Sequence, residues 1–153
     1  MLGEKMKNCQ VGKNVMISPY SNVYGCTLGD DVFVGPFVEI QSNVVIGRNT
    51  RISSHSFVCS SVMIGEDCFI AHGVMFVNDL FTDSSSYRDL KDRQVPDRKT
   101  VIGNNVRIGS NCTILPVKIG DNAVIGAGSV VTKDVPAGSV VRGESAKIYI
   151  NDK

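Results

Sequence analysis

Four side chains offer this chain its most accessible chemistry: His55, His72, Asn78 and Glu39. A neutral imidazole takes up a proton near pH ~6.5, so a histidine can serve as a general base under ordinary conditions. His55 reads either as such a base or substrate contact, or as an exposed turn residue without a role. His72 precedes Gly73, which favours a structural place in a turn. An asparagine amide accepts from an amine and donates to an oxygen, so Asn78 can orient a nucleophile without carrying charge. It can equally cap a turn. Glu39 is either a solvated acid or a carboxylate that holds hydroxyls or a cationic amine. The five cysteines, at 9, 26, 59, 68 and 112, form no CxxC pair and are odd in number. They read as reduced, core-filling thiols of a cytoplasmic protein, and none has a recognisable activating context.

These groups are far apart in number, so the question is what brings them together. From Leu28, steps of six land on Val34, Ile40, Ile46, Ile52, Val58, Ile64, Ile70 and Phe76. Four residues beyond each stand mostly small or β-branched side chains, such as Val32, Val38, Val44, Thr50, Ser56 and Val62. A helix needs apolar spacings of three and four and tolerates β-branching poorly. A period of six with one inward aliphatic each time is the signature of a hexapeptide β-helix.

A longer period lies above it. An aliphatic-Gly pair recurs at Gly12, Gly29, Gly47, Gly65, Gly103 and Gly120, in steps of 17, 18, 18, 38 and 17. Three hexads therefore make one coil, and the glycine returns at one corner, where it is expected to accept unusual backbone angles. Asp30, Glu66, Asn104 and Asp121 follow it and suit the same turns. The 17-residue steps imply one-residue deletions, within Val23–Thr27 and Ile114–Lys118. The 38-residue step implies a long loop near residues 79–100. The expectation is an all-β parallel β-helix of about six coils over residues 11–136, with a cap over 137–153, in one domain. On this grid His55, His72, Glu39 and Asn78 are expected to gather near one edge, beside the insertion.

Bulk properties narrow the function. The chain has 153 residues, 42% hydrophobic and 20% charged, with a net charge of +1 and no Trp. A near-neutral chain gives no electrostatic case for nucleic acid or an anionic membrane as partner. No stretch approaches the ~20 apolar residues of a membrane span. The first ten residues carry no apolar region of the signal-peptide kind.

The hexads resemble the left-handed β-helix acyltransferases over roughly Val11–Ala146. The resemblance implies a left-handed winding, a homotrimer and active sites between neighbouring prisms. "IGAGSVVTKDVPAGSVV" (Ile125–Val141) is similar to the coenzyme A side of that superfamily. It implies that Gly126, Ala127 and Gly128 let the pantetheine arm of acetyl-CoA approach the backbone and that Lys133 meets a phosphate. "ISSHSFVCSSVMIGEDCFIAHGVMFVND" resembles, more narrowly, the N-acetyltransferases that act on 3-amino sugars carried on dTDP or UDP. It implies a sugar-site role for Asn78. Glu39 and His72, from their place near one edge of the hexad grid, are the further candidate substrate contacts, and the cysteine pattern gives the expectation of a cytoplasmic protein. Arg88, on the loop, could clamp the nucleotide phosphates. Two histidines per interface are one short of a three-His zinc site, so no metal is expected.

The chain departs from that narrower pattern at three points. Phe81-Thr82 stands where an aromatic-Pro is usual, Gly143-Glu144-Ser145-Ala146 replaces a Gly-Asn-Pro-Ala, and a Gly between Pro116 and Val117 is missing. The first lies beside the implied sugar site and bears on substrate identity. The expected activity is acetyl transfer to the amine of a nucleotide-linked sugar. A hydroxyl or small-amine acceptor, or a non-catalytic scaffold, are the alternatives.

Overall fold

The computed structural model describes residues 6–78, 98–144 and 146–149. It is a left-handed parallel β-helix, all-β as expected, whose three faces carry seven, six and eight strands. Face A includes the strands Asn22–Tyr24, Glu39–Ile40, Phe57–Val58, Met75–Phe76, Thr113–Ile114 and Val130–Val131. Face B runs from Gln10–Val11 to Lys118–Ile119, and face C from Met16–Ile17 through Val124–Ile125 to Val140–Arg142 and Lys147–Tyr149. The chain passes B to C to A, six times, so the prism has three long edges: B–C, C–A and A–B.

Most strands are two residues long, the first facing outward and the second inward. Alternation along an extended strand makes this unavoidable once one face is buried. The inward column is the aliphatic hexad series: Ile40, Ile46, Ile52, Val58, Ile70 and Phe76 are at most 1% exposed. Each contributes ~1.5–3 kcal/mol of burial. Two of the polar residues in the interior, Thr50 and Ser56, bond across coils, while Ser53 Oγ and Thr100 Oγ1 are buried without a partner. Thr50 Oγ1 donates to Gly65 O at 2.8 Å and accepts from Cys68 N at 3.1 Å. Ser56 Oγ does the same with Ala71 O and Val74 N, at 3.0 and 3.2 Å.

The corner glycines differ from expectation in their reason. Left-handed backbone at the B–C edge belongs not to Gly12, Gly29, Gly47, Gly65, Gly103 and Gly120 but to residues two further on: Asn14, Asp31, Asn49, Asp67, Asn105 and Asn122. The glycines are required by space. A Cβ on Gly47 would stand 2.7 Å from Glu66 N, and one on Gly29 2.7 Å from Arg48 N. Amide and carboxylate groups stack up this edge, Asn49 Nδ2 donating to Asp67 Oδ1 and Asn105 Nδ2 to Asn122 Oδ1, both at 2.8 Å. Asp121 Oδ1 likewise accepts from Asn104 N at 2.7 Å.

All departures from the period fall at the A–B edge. Val23 to Leu28 and Ile114 to Ile119 are five residues apart rather than six, as the 17-residue steps implied. The 38-residue step falls there too, and the coil resumes in register, Val62 pairing with Thr100 and Ile64 with Ile102. Residues 79–97, and with them Arg88, Phe81 and Thr82, lie outside the described residues. Beyond the last coil, Val140–Arg142 pairs antiparallel with Lys147–Tyr149, and Ala146 N donates to Val130 O at 2.8 Å.

Candidate functional site

The C–A edge is where the chemistry collects. One residue per coil there takes a left-handed backbone: Tyr20, Phe37, His55, Gly73, Asn111 and Gly128, in that order along the prism. His55 is exposed in the third coil, and its ring stacks on Phe37 with centroids 5.0 Å apart. Phe37 in turn stacks on Tyr20 at 5.6 Å. His72 stands on the same edge one coil later, exposed, with Nδ1 2.8 Å from Ser54 Oγ. The turn geometry expected from Gly73 is present, with φ +66° at that glycine.

Glu39 opens the face A strand just beyond Phe37, so it borders this edge. Its carboxylate accepts from Gln41 Nε2 at 3.1 Å and from Tyr24 OH at 3.4 Å. Burial first, and then the neighbouring Glu39 charge, push the Tyr24 phenol above its ordinary pKa. Asn78 lies elsewhere. It leaves the far end of face A, at the A–B edge, where its Nδ2 donates to Ser60 Oγ at 3.0 Å. Within one chain the four groups thus border one face, but Asn78 sits across it from the histidines.

The glycine-rich segment shares the histidines' edge. Gly126, Ala127 and Gly128 form the C–A corner of the sixth coil. Gly128 has φ +70° and nothing within 4 Å of where a Cβ would stand, so the surface there is open down to the backbone. Such a corner fits a narrow arm lying along the edge. Lys133 is exposed but belongs to the A–B edge of the same coil. The sequence reading missed two features. One is the Tyr20–Phe37–His55 ring column, whose only signal is a spacing of 17 and 18 among three unlike residue types. The other is a hollow of about 420 Å³ on face B lined by Val101, Lys118, Asp121, Asp134 and Pro136 among others.

The thiols are structural in setting. Cys26, Cys59, Cys68 and Cys112 are buried, and none of the five is in a disulfide. Burial pushes the Cys68 and Cys112 thiols up, and that of Cys26 to about 12. No group of three His, Cys, Asp or Glu among the described residues could hold a metal ion. No helix among them is long and apolar enough to cross a membrane.

A triangular prism of hexads with polar groups along one edge defines a class, the left-handed β-helix transferases. Residues 8–42, 25–60 and 43–78 match the family described as bacterial transferase hexapeptide (six repeats), and residues 99–133 match the hexapeptide repeat of succinyl-transferase. The chain belongs to this hexapeptide-repeat family. It is 33% identical over 145 residues to the bifunctional protein GlmU of Streptococcus uberis, covering 94% of this chain and 28% of that protein. The chain therefore spans little more than a quarter of that relative's length. A hexapeptide-repeat-containing acetyltransferase of Vibrio cholerae, solved with acetyl coenzyme A, is 26% identical with a TM-score of 0.66, over 84% of this chain and 72% of that one. The fold also matches AntD, an N-acyltransferase from Bacillus cereus solved with dTDP and coenzyme A. That TM-score is 0.82 at 20% identity, over 94% of this chain and 84% of that one.

Proposed function

We propose that this protein is an acetyl-CoA-dependent N-acetyltransferase acting on the amino group of a nucleotide-linked sugar. One observation carries the reading: His55, His72 and the Gly126–Gly128 corner lie along the same edge, the first two in the middle coils and the last in the sixth. An arm laid on the open glycine corner points toward the histidines, a few rungs of ~4.8 Å away. The Vibrio cholerae relative, solved with acetyl coenzyme A, supports that donor.

The neutral amine attacks the thioester carbonyl carbon. The N–C bond forms, the C–S bond breaks, and the amine proton passes to His55 or to the departing thiolate. A backbone N–H on the edge would steady the oxyanion, an effect of about 3 kcal/mol for one donor. Alignment of the two substrates supplies much of the remainder. Glu39 borders the edge two coils from His72, and both contact the acceptor, Glu39 at sugar hydroxyls or the amine. The burial of four cysteines fits direct transfer without an enzyme nucleophile.

The site is completed by assembly. Asn78 and Lys133 both lie on the A–B edge, at the ends of the fourth and sixth coils, level with His72 and with Gly126–Gly128. A cyclic homotrimer that sets the A–B edge of one copy beside the C–A edge of the next brings both into place at once, Asn78 to orient the amine and Lys133 to meet a phosphate. Arg88 belongs to the same reading, as a clamp on the nucleotide phosphates. The test is release of free thiol from acetyl-CoA against a panel of dTDP- and UDP-linked amino sugars. Release that requires the amine supports the reading, and release only with hydroxyl acceptors overturns it.

A further inference from the structure

The three edges do not follow the same rule. At the B–C edge every left-handed residue through the sixth coil is Asn or Asp, and at the A–B edge they are Asn8, Gly25, Asn43 and Ser61. These are the small residues that tolerate φ near +60°. At the C–A edge the first three are Tyr20, Phe37 and His55, and only then do Gly73, Asn111 and Gly128 restore the pattern. Histidine, like Asn and Asp, is tolerated in this backbone region, but Tyr20 and Phe37 are outliers there, and two in succession point to a use outside the fold itself. Burial does not explain it, because Tyr20 is 74% and Phe37 53% exposed. Pro19 and Pro36 precede the two rings, a placement that pre-sets the turn and holds the next residue rigidly.

Position gives the column its meaning. The donor's corner and the histidines occupy the edge from the sixth coil down to the third. Phe37 stands one coil and Tyr20 two coils beyond His55, along the edge on the side away from the donor's corner. The corner segments Ser18–Ser21 and Gly35–Val38 contain no carboxylate to repel a phosphate. The nearest acid, Glu39, is engaged by Tyr24 and Gln41. We propose that the outward edges of the stacked Phe37 and Tyr20 rings receive the nucleobase of the acceptor, so that this column selects a nucleotide-linked sugar over a free one. The proposal rests on the acetyl-transfer reading above for the place of the amine. Aromatic rings accept any base face or edge, so the column selects for a base without naming which.

The probes are dTDP and UDP, titrated calorimetrically into the wild-type protein and into Phe37→Asn and Tyr20→Asn. Asparagine is what the other edges place at this backbone position, so both variants keep the corner, and thermal unfolding should show a Tm equal to or above the wild type. Nucleotide binding should weaken roughly tenfold or more in each, with the KM for the nucleotide-linked acceptor rising and coenzyme A affinity held. Unchanged nucleotide affinity in both variants overturns the proposal, as does loss of the assembly in either, which would show that the rings pack against a second copy. A wild type that acetylates free amino sugars but binds neither nucleotide also overturns it, while leaving acetyl transfer intact. A wild type that releases no thiol with any acceptor defeats the acetyl-transfer reading instead, and nucleotide binding lost in the variants would still support the ring site.

Discussion

At the scale of single residues, environment decides what each group can do. Burial raises the Cys26 thiol from 9.0 to about 12, so its proton is held more tightly in the folded chain than in the unfolded one. That contribution is fully present below pH 9.0 and is lost as the pH climbs toward about 12. Stability measured by urea unfolding should accordingly fall across that alkaline window. A thiol reagent at neutral pH should modify half-buried Cys9 first, and all five cysteines only after unfolding. Rapid labelling of Cys68 or Cys112 in the native protein would contradict this account. Proton transfer by a positioned histidine is worth ~10²-fold or more. His55→Ala should therefore lower kcat by about that factor at neutral pH. Activity near wild type at every pH would remove His55 from the base role and leave the thiolate as the proton acceptor.

At the scale of the coil, space governs. Gly47→Ala would drive a methyl into the backbone at Glu66, and overpacking of this kind costs ~1–3 kcal/mol. Ile52→Ala empties an inward rung that is 0% exposed, which typically costs ~2–5 kcal/mol. Both can be read by denaturant midpoints. The same physics explains what the sequence made legible. The period of six is visible because inward and outward residues alternate and the inward position of nearly every hexad is an aliphatic of similar size. The deletions and the long insertion are visible because they break a count. The role of the corner glycines was misjudged because close approach between coils and left-handed backbone both favour glycine, and only coordinates separate them. The ring column was hidden for a different reason: it defies the local preference for Asn, Asp and Gly at its corners. The hexad grid placed His55 and His72 together correctly, since they are about one coil apart. It did not separate Asn78 from them, because a rung number does not say at which end of a face a turn lies.

At the scale of the whole molecule, the central claim is that one edge of the prism holds donor and acceptor and that a second copy closes it. Light scattering should give three chains per particle. Copies carrying His55→Ala and copies carrying Asn78→Ala, each weakly active, should regain activity on unfolding and refolding together. Such mixed trimers contain an interface with both residues intact. Additive weak activity would place the two residues in separate functions. The most direct test remains the transfer itself: thiol release from acetyl-CoA with dTDP- or UDP-linked 3-amino sugars, followed by mass analysis of the product. The account predicts amine-dependent release and a product heavier by one N-linked acetyl group. No release with any acceptor, together with no thermal stabilisation by millimolar coenzyme A, would contradict it.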